Sequence, residues 1–127
     1  QARSDRTGVV TIVSEDHLDT EPHFAYASVF SNAQNWAVVD SFGTNYPDMR
    51  TQSAKASFAW DALFDTEFTN HAVARVSGLG KVGQGWYAGI YEATGRENRA
   101  LALNTNAVIL TAIHYKAFGP MWQTRFE

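Results

Sequence analysis

Two helical patterns separated by only Asp65 and Thr66 constrain this chain more than any other feature. Ala54, Phe58, Ala59, Ala62 and Leu63 recur at helical spacing in a pattern that begins near Arg50, and Phe68, Ala72, Val73 and Val76 repeat it further on. Thr66 is suited to cap the second helix, because its hydroxyl can accept one of the N–H groups a helix start leaves unpaired. So short a connection requires side-by-side packing, and the segment predicts a helical hairpin that stops at Gly78. Trp60 and Asp61 fall off the apolar stripe and are expected to face solvent, a ligand or a second packing layer.

A further helix is patterned by Val108, Ile109, Ala112, Ile113 and Tyr115, with Asn104 or Thr105 as its cap and Gly119-Pro120 as its end. Gln1 to Gly8 reads as the last turn of a helix closing on a glycine. Between these lie strand-like runs. Val9 to Val13 is β-branched, and His23 to Phe30 alternates, with Phe24, Tyr26 and Ser28 on one side and Ala25, Ala27 and Val29 on the other. Ser31 to Asn35 is turn chemistry, and Trp36 to Asp40 completes an antiparallel ribbon. Trp86 to Glu92 alternates as well, with Arg99 to Leu103 as its returning partner, and Gly89 leaves room for another backbone or a ligand. The expected architecture is mainly α, with about three helices and short antiparallel β ribbons.

With 127 residues the chain is one unit or part of one. A net charge of -3 and a pI near 5.8 give no support to a nucleic-acid partner or a polybasic membrane patch. No cysteine is present, which removes disulfides, thiolate nucleophiles and Cys-based zinc sites. The apolar runs fall well short of the roughly 20 residues of a spanning helix. The Gly78 to Gly85 loop lacks the lysine and hydroxyl spacing of a phosphate loop. Aromatic residues, at 13%, exceed what a small core needs, which directs attention to ligand contact.

Two stretches concentrate the chemistry. Ser14-Glu15-Asp16-His17-Leu18-Asp19 brings carboxylates and an imidazole together, and close carboxylates push each other's pKa apart, as acid–base pairs require. A solvated acidic loop accounts for the same residues equally well. Gly85 to Asn106 combines aromatics, Glu92, two arginines and three asparagines, a mixture suited to a polar, ring-shaped ligand. Tyr46 and Asp48 in the Ser41 to Met49 loop are further candidates for contact, although a plain surface loop is the commoner case. His114, without a second histidine at ligand spacing, reads as structural.

Three motifs carry a resemblance: Val-Thr-Ile-Val-Ser-Glu-Asp-His-Leu-Asp (10 to 19), Lys-Ala-Ser-Phe-Ala-Trp-Asp-Ala-Leu-Phe-Asp-Thr (55 to 66), and Gly85 to Asn106 running into Ala-Val-Ile-Leu. The chain resembles the C-terminal part of the bacterial family called domain of unknown function 3131, over about residues 7 to 120. The resemblance implies a partial α/α toroid similar to six-hairpin glycosidases, of which this chain would be the C-terminal third. It also implies an exported, periplasmic or cell-envelope setting and a polysaccharide or oligosaccharide partner.

On that footing the first expected function is a glycoside hydrolase-like activity by two-carboxylate chemistry, with Glu15, Asp16 and Glu92 as catalytic candidates. Trp36, Tyr46, Trp86 and Tyr91 would stack on sugar rings, while Arg96, Asn104 and Asn106 would bond hydroxyls. A non-catalytic carbohydrate-binding or envelope-assembly domain on the same scaffold is the alternative. Structural pairing of Glu92 with Arg96 or Arg99, and burial of Trp86 in the core, compete with these roles. A calcium site from Glu15, Asp16 and Asp19 is a third and weaker reading, since the spacing does not match an EF-hand. No cofactor or metal is otherwise expected. The amphipathic helices predict packing against the rest of the toroid or self-association.

Overall fold

The computed structural model describes residues 1–122. Helix α1 (Ala2–Thr7) closes on Gly8, whose φ of 72° is the left-handed turn that glycine adopts without a Cβ clash. The chain then enters β1 (Glu15–His17), β2 (Phe24–Ala27), β3 (Phe30–Ser31), β4 (Gln34–Asn35) and β5 (Val38–Val39). β6 (Thr51–Ser53) leads directly into the hairpin of α2 (Ala54–Phe64) and α3 (Glu67–Val76). β7 (Gly80–Lys81), β8 (Gly85–Trp86), β9 (Gly89–Tyr91) and β10 (Glu97–Asn98) follow, and α4 (Leu103–Phe118) ends at Gly119.

Local chemistry explains the best-defined boundaries. The Ser53 side chain accepts from Ala56 N–H and starts α2, while Thr66 and Thr69 exchange side-chain and backbone bonds in a capping box that starts α3. β3 and β4 turn on Asn32 and Ala33, with φ of 51° and 58°, the pair of left-handed residues that a tight two-residue hairpin demands. One antiparallel sheet has the order β1-β2-β5, and a second has the order β10-β9-β6. In the second sheet Gly89 lies opposite Ser53, and the Gln52 carbonyl fills the space where a Cβ at Gly89 would stand. The backbone approach anticipated at this glycine is therefore that of β6.

Three apolar clusters hold the layers. Val10 and Ile12 pack on Ala56, Ala72 and Phe68 beneath the helical hairpin. Leu18, Ala25, Val38 and Tyr91 join the two sheets, and Ala54, Val76 and Ile109 join α2, α3 and α4, with Phe58, Leu79, Trp86 and Ile90 against them. Polar side chains are interleaved with these. Thr51, Gln52 and Ser53 along β6 are all buried, and Gln52 Nε2 donates to the Ala72 carbonyl at 2.9 Å while its Oε1 accepts from Arg75.

The mainly α, partial α/α toroid is overturned by this architecture. Among the described residues helix accounts for 38% and strand for 21%, and four helices share the core with several small antiparallel sheets in a mixed α/β arrangement. Val9 to Val13 forms no strand, because its inward residues are used to seat the helical hairpin and not to extend a ladder. The strand begins later, within the acidic cluster itself. Helix α2 starts at Ala54 and not near Arg50, since Thr51 to Ser53 is claimed by β9. The partner of β9 is Glu97–Asn98, not Arg99 to Leu103, and α4 is preceded by Ala102 in place of Asn104 or Thr105. Thr105, Ile109 and Ala112 are its buried residues, whereas Ile113 and Tyr115 lie exposed.

Candidate functional site

An open groove of about 400 Å³ lies between residues 11–13, Trp36 and the α2–α3 hairpin. Its aromatic lining is Trp36, Trp60, Phe64 and Phe68, and Thr11, Thr66 and Thr69 place hydroxyl-bearing residues beside them. Trp60 and Phe64 stand four apart on α2, so they meet on one face; their rings stack at 5.0 Å with only 24° between planes. Both are exposed, at 47% and 56%. The pair is therefore an exposed aromatic stack that belongs to none of the three apolar clusters. Of the two residues that fell off the helical stripe, Trp60 reaches this groove, and Asp61 turns inward to accept from Lys116 Nζ at 2.7 Å.

Trp36 is fixed from behind by two arginines. Arg3 lies over its ring, 5.4 Å from the centroid, and donates to Thr11 Oγ1; Arg50 donates to the Trp36 carbonyl through Nε at 3.0 Å and through Nη2. Glu92 sits between them, with Oε2 3.0 Å from Arg3 Nη1 and 3.6 Å from Arg50 Nη1. This pairing differs from the Arg96 or Arg99 partnership considered from the sequence. Those two arginines hold Asp19 and Glu97.

Glu15 and Asp16 converge on a different cation. Lys55, buried in the first turn of α2, directs Nζ to Glu15 Oε1 at 2.9 Å, to Asn104 Oδ1 at 2.7 Å and toward Asp16 Oδ1 at 3.9 Å. Asp16 is 2% exposed, and Thr51 Oγ1 donates to its Oδ2 while its Oδ1 has no hydrogen-bond partner. Burial pushes the Asp16 carboxyl up to about 7, against the opposing pull of Lys55. Glu15 is more exposed, and the bond from Lys55 holds it below the ordinary carboxylate value. Two adjacent carboxylates are thus driven in opposite directions.

The remaining sequence candidates occupy binding roles within the fold. Tyr91 is 2% exposed, and its hydroxyl donates to Asp19 Oδ1 at 2.8 Å. Arg96 forks onto both oxygens of Asp19 and lies over the Tyr91 ring at 4.7 Å. Burial alone would raise Asp19; bonds from Arg96, the Arg99 N–H and Tyr91 outweigh it and bring it down to about 2. Trp86 packs edge-on against Phe58 and donates from Nε1 to the Ser77 carbonyl. Asn106 accepts from Trp86 N–H and donates back to the Trp86 carbonyl, tying α4 to β8. Tyr46 packs with the sheet cluster and reaches Asp40, and Asp48 lies in a short turn over Pro47–Met49.

Glu15, Asp16 and Asn104 are therefore brought together at Lys55, while Trp36 and Glu92 meet at Arg3 and Arg50. Asp19 joins the acidic stretch to the Tyr91 hairpin, but it turns to Arg96 and not to Glu15. Among the described residues no group of three or more carboxylate or imidazole side chains converges to hold a cation. Lys55, Arg3, Arg50 and Phe64 were not singled out from sequence. A lysine in a helix's first turn faces an unfavourable dipole, and that misplacement is the one signal that it serves a buried acid. The four-residue spacing of Trp60 and Phe64 carried a similar signal for the aromatic stack.

Among the described residues no helix is long and apolar enough to cross a membrane. No curated protein and no solved structure matches the chain. The motifs at both ends of the fold, from the residues of α1 to the last turn of α4, fall within one family model described as protein of unknown function (DUF3131), which matches residues 1–119, and the chain belongs to that family.

Proposed function

We propose that this chain is a carbohydrate-binding domain that holds a polysaccharide in the groove lined by Trp36, Trp60 and Phe64. The observation that carries the reading is the stacked, outward-facing Trp60–Phe64 pair beside a tryptophan braced by arginine. A sugar ring has an apolar face of C–H bonds that packs on an exposed aromatic ring, such as those lining this groove. With such a partner, the setting we propose for the domain is the periplasm or cell envelope.

The test is binding of the purified chain to a glycan panel, followed by titration with the best ligand. Trp60→Ala should weaken binding at least tenfold, the order of one lost aromatic contact, with the fold retained because Trp60 is half exposed. Unchanged binding by that variant, or a panel without any binder, would sink the reading.

Hydrolysis is the second reading, and the opposite shifts of Glu15 and Asp16 favour it, since an acid and a base are needed together. Glu15, the more exposed of the two, would meet the glycan, and the Lys55 bond would orient it. Glu92 takes no part in that pair, being held by Arg3 and Arg50. Release of reducing ends from a bound glycan, abolished in Glu15→Gln, would establish hydrolysis. Tight binding without any turnover would leave binding as the function.

A further inference from the structure

We infer that the polysaccharide taken by the groove is acidic, its carboxylates meeting Arg3 and Arg50; this rests on the groove being a glycan site. The argument is one of local charge. Arg3 and Arg50, with side chains 16% and 15% exposed, share the single carboxylate of Glu92, which is 6% exposed. Two guanidinium groups against one carboxylate leave one positive charge in surplus. An arginine does not shed its proton at any pH the folded protein meets, so the surplus persists until an anion or solvent answers it.

The surplus lies just behind the groove wall, in contact with two residues that line it. Arg3 bonds Thr11 and covers Trp36, Arg50 holds the Trp36 carbonyl, and both Thr11 and Trp36 line the groove. Arg3 meets Thr11 and Glu92 through Nη1, and its Nε and Nη2 find no protein acceptor among the described residues. Those two donors form the planar fork that receives a carboxylate with two parallel bonds. On the opposite side, next to the lining residue Thr66, the neighbouring charges are of the other sign. Asp65 and Glu67 flank Thr66, and Asp65 is already paired with Lys116 at 3.0 Å. A ligand carboxylate is therefore directed to the Trp36 side, with a sugar ring extending toward Trp60. A neutral sugar would make the stacking contact and leave the guanidinium surplus unanswered.

The experiment compares polygalacturonate, alginate and hyaluronan, each with its own carboxyl-reduced form, by titration against the intact chain. At least one acidic form should bind about tenfold more tightly than its reduced counterpart, the value of one charge-assisted hydrogen bond, and the margin should shrink in about 0.5 M salt. Glu92→Gln, which removes the competing carboxylate, should widen the ratio, and Arg3→Gln should bring it toward one. A purely structural role for Glu92 predicts no widening. Equal binding of acidic and reduced forms, or binding of neutral glycans alone, overturns the inference and leaves the glycan reading standing. Failure of every glycan to bind overturns both.

Discussion

Two buried charge clusters bracket β6, and they are opposite in sign. Arg50, just before the strand, joins Arg3 on Glu92; Lys55, just after it, faces Glu15 and Asp16. The first has a cation too many and the second a carboxylate too many. Their remedies differ because the side chains differ. A surplus carboxylate in a dry site takes up a proton, and Asp16, raised to about 7, does so near neutrality. A surplus guanidinium has no such exit and keeps its charge until solvent or an anion answers it. The acidic cluster can therefore be closed within the fold, whereas the basic one is left to solvent or to the acidic ligand proposed above.

The largest effect expected from this contrast is a pH dependence of stability. Asp16 is raised in the folded state, so folding binds its proton between the unfolded value near 3.8 and about 7. Its contribution is fully present below about pH 4 and is lost as the pH rises through about 7, a change on the order of 4 kcal/mol. Asp19 works in the other direction and in another window. Held at about 2, it contributes above about pH 4, and that contribution fades as the pH falls toward 2. Urea denaturation of the wild type and Asp16→Asn across pH 4 to 8 separates the two. The amide keeps an acceptor for Thr51 and removes the titration, so the difference curve should slope where Asp16 titrates and flatten elsewhere. A difference curve level through pH 7 would mean that the acidic cluster does not resolve its surplus by protonation.

Next in size is Lys55→Met, which keeps the length of the buried stem and deletes the cation. At pH 8 it should cost about 3 kcal/mol, the usual loss when one partner of a buried pair is removed. At pH 5 the loss should be smaller, because Asp16 already carries its proton there and only the Glu15 and Asn104 bonds disappear. A loss that is the same at both pH values would show that Lys55 stabilises the fold through its stem alone. In that case the two clusters would not be comparable.

What the sequence made legible was local. Thr66, the apolar spacing from Phe68 to Val76 and the Asp65-Thr66 connection defined the helical hairpin, because caps and periodicity act within a few residues. Turn chemistry at Asn32 and Ala33 was visible for the same reason. Val9 to Val13 misled, since β-branched residues suit a buried extended segment as well as a ladder. The sites were hidden for a longer-range reason. Lys55 lies 40 positions from Glu15 and 49 from Asn104, and no pattern in any one window reveals that they converge. Tyr91 and Trp86 looked like ligand platforms by composition, yet an aromatic ring serves the core as readily. Only burial distinguishes them from Trp60.

The smallest expected effect is a control on burial itself. Arg99 Nε and Glu97 Oε2 lie 2.9 Å apart, closer than Arg50 and Glu92, but their side chains are 67% and 39% exposed. In water the Coulomb attraction is screened and roughly cancels the entropy of holding two long side chains together. Arg99→Ala should therefore change stability by less than about 0.5 kcal/mol, and its backbone N–H still donates to Asp19. If calorimetry instead finds a loss comparable to that of Lys55→Met, proximity and not burial governs these pairs. The surplus charge at Arg3 and Arg50 would then be no different from any surface arginine, and the case for an anionic ligand would lose its physical basis.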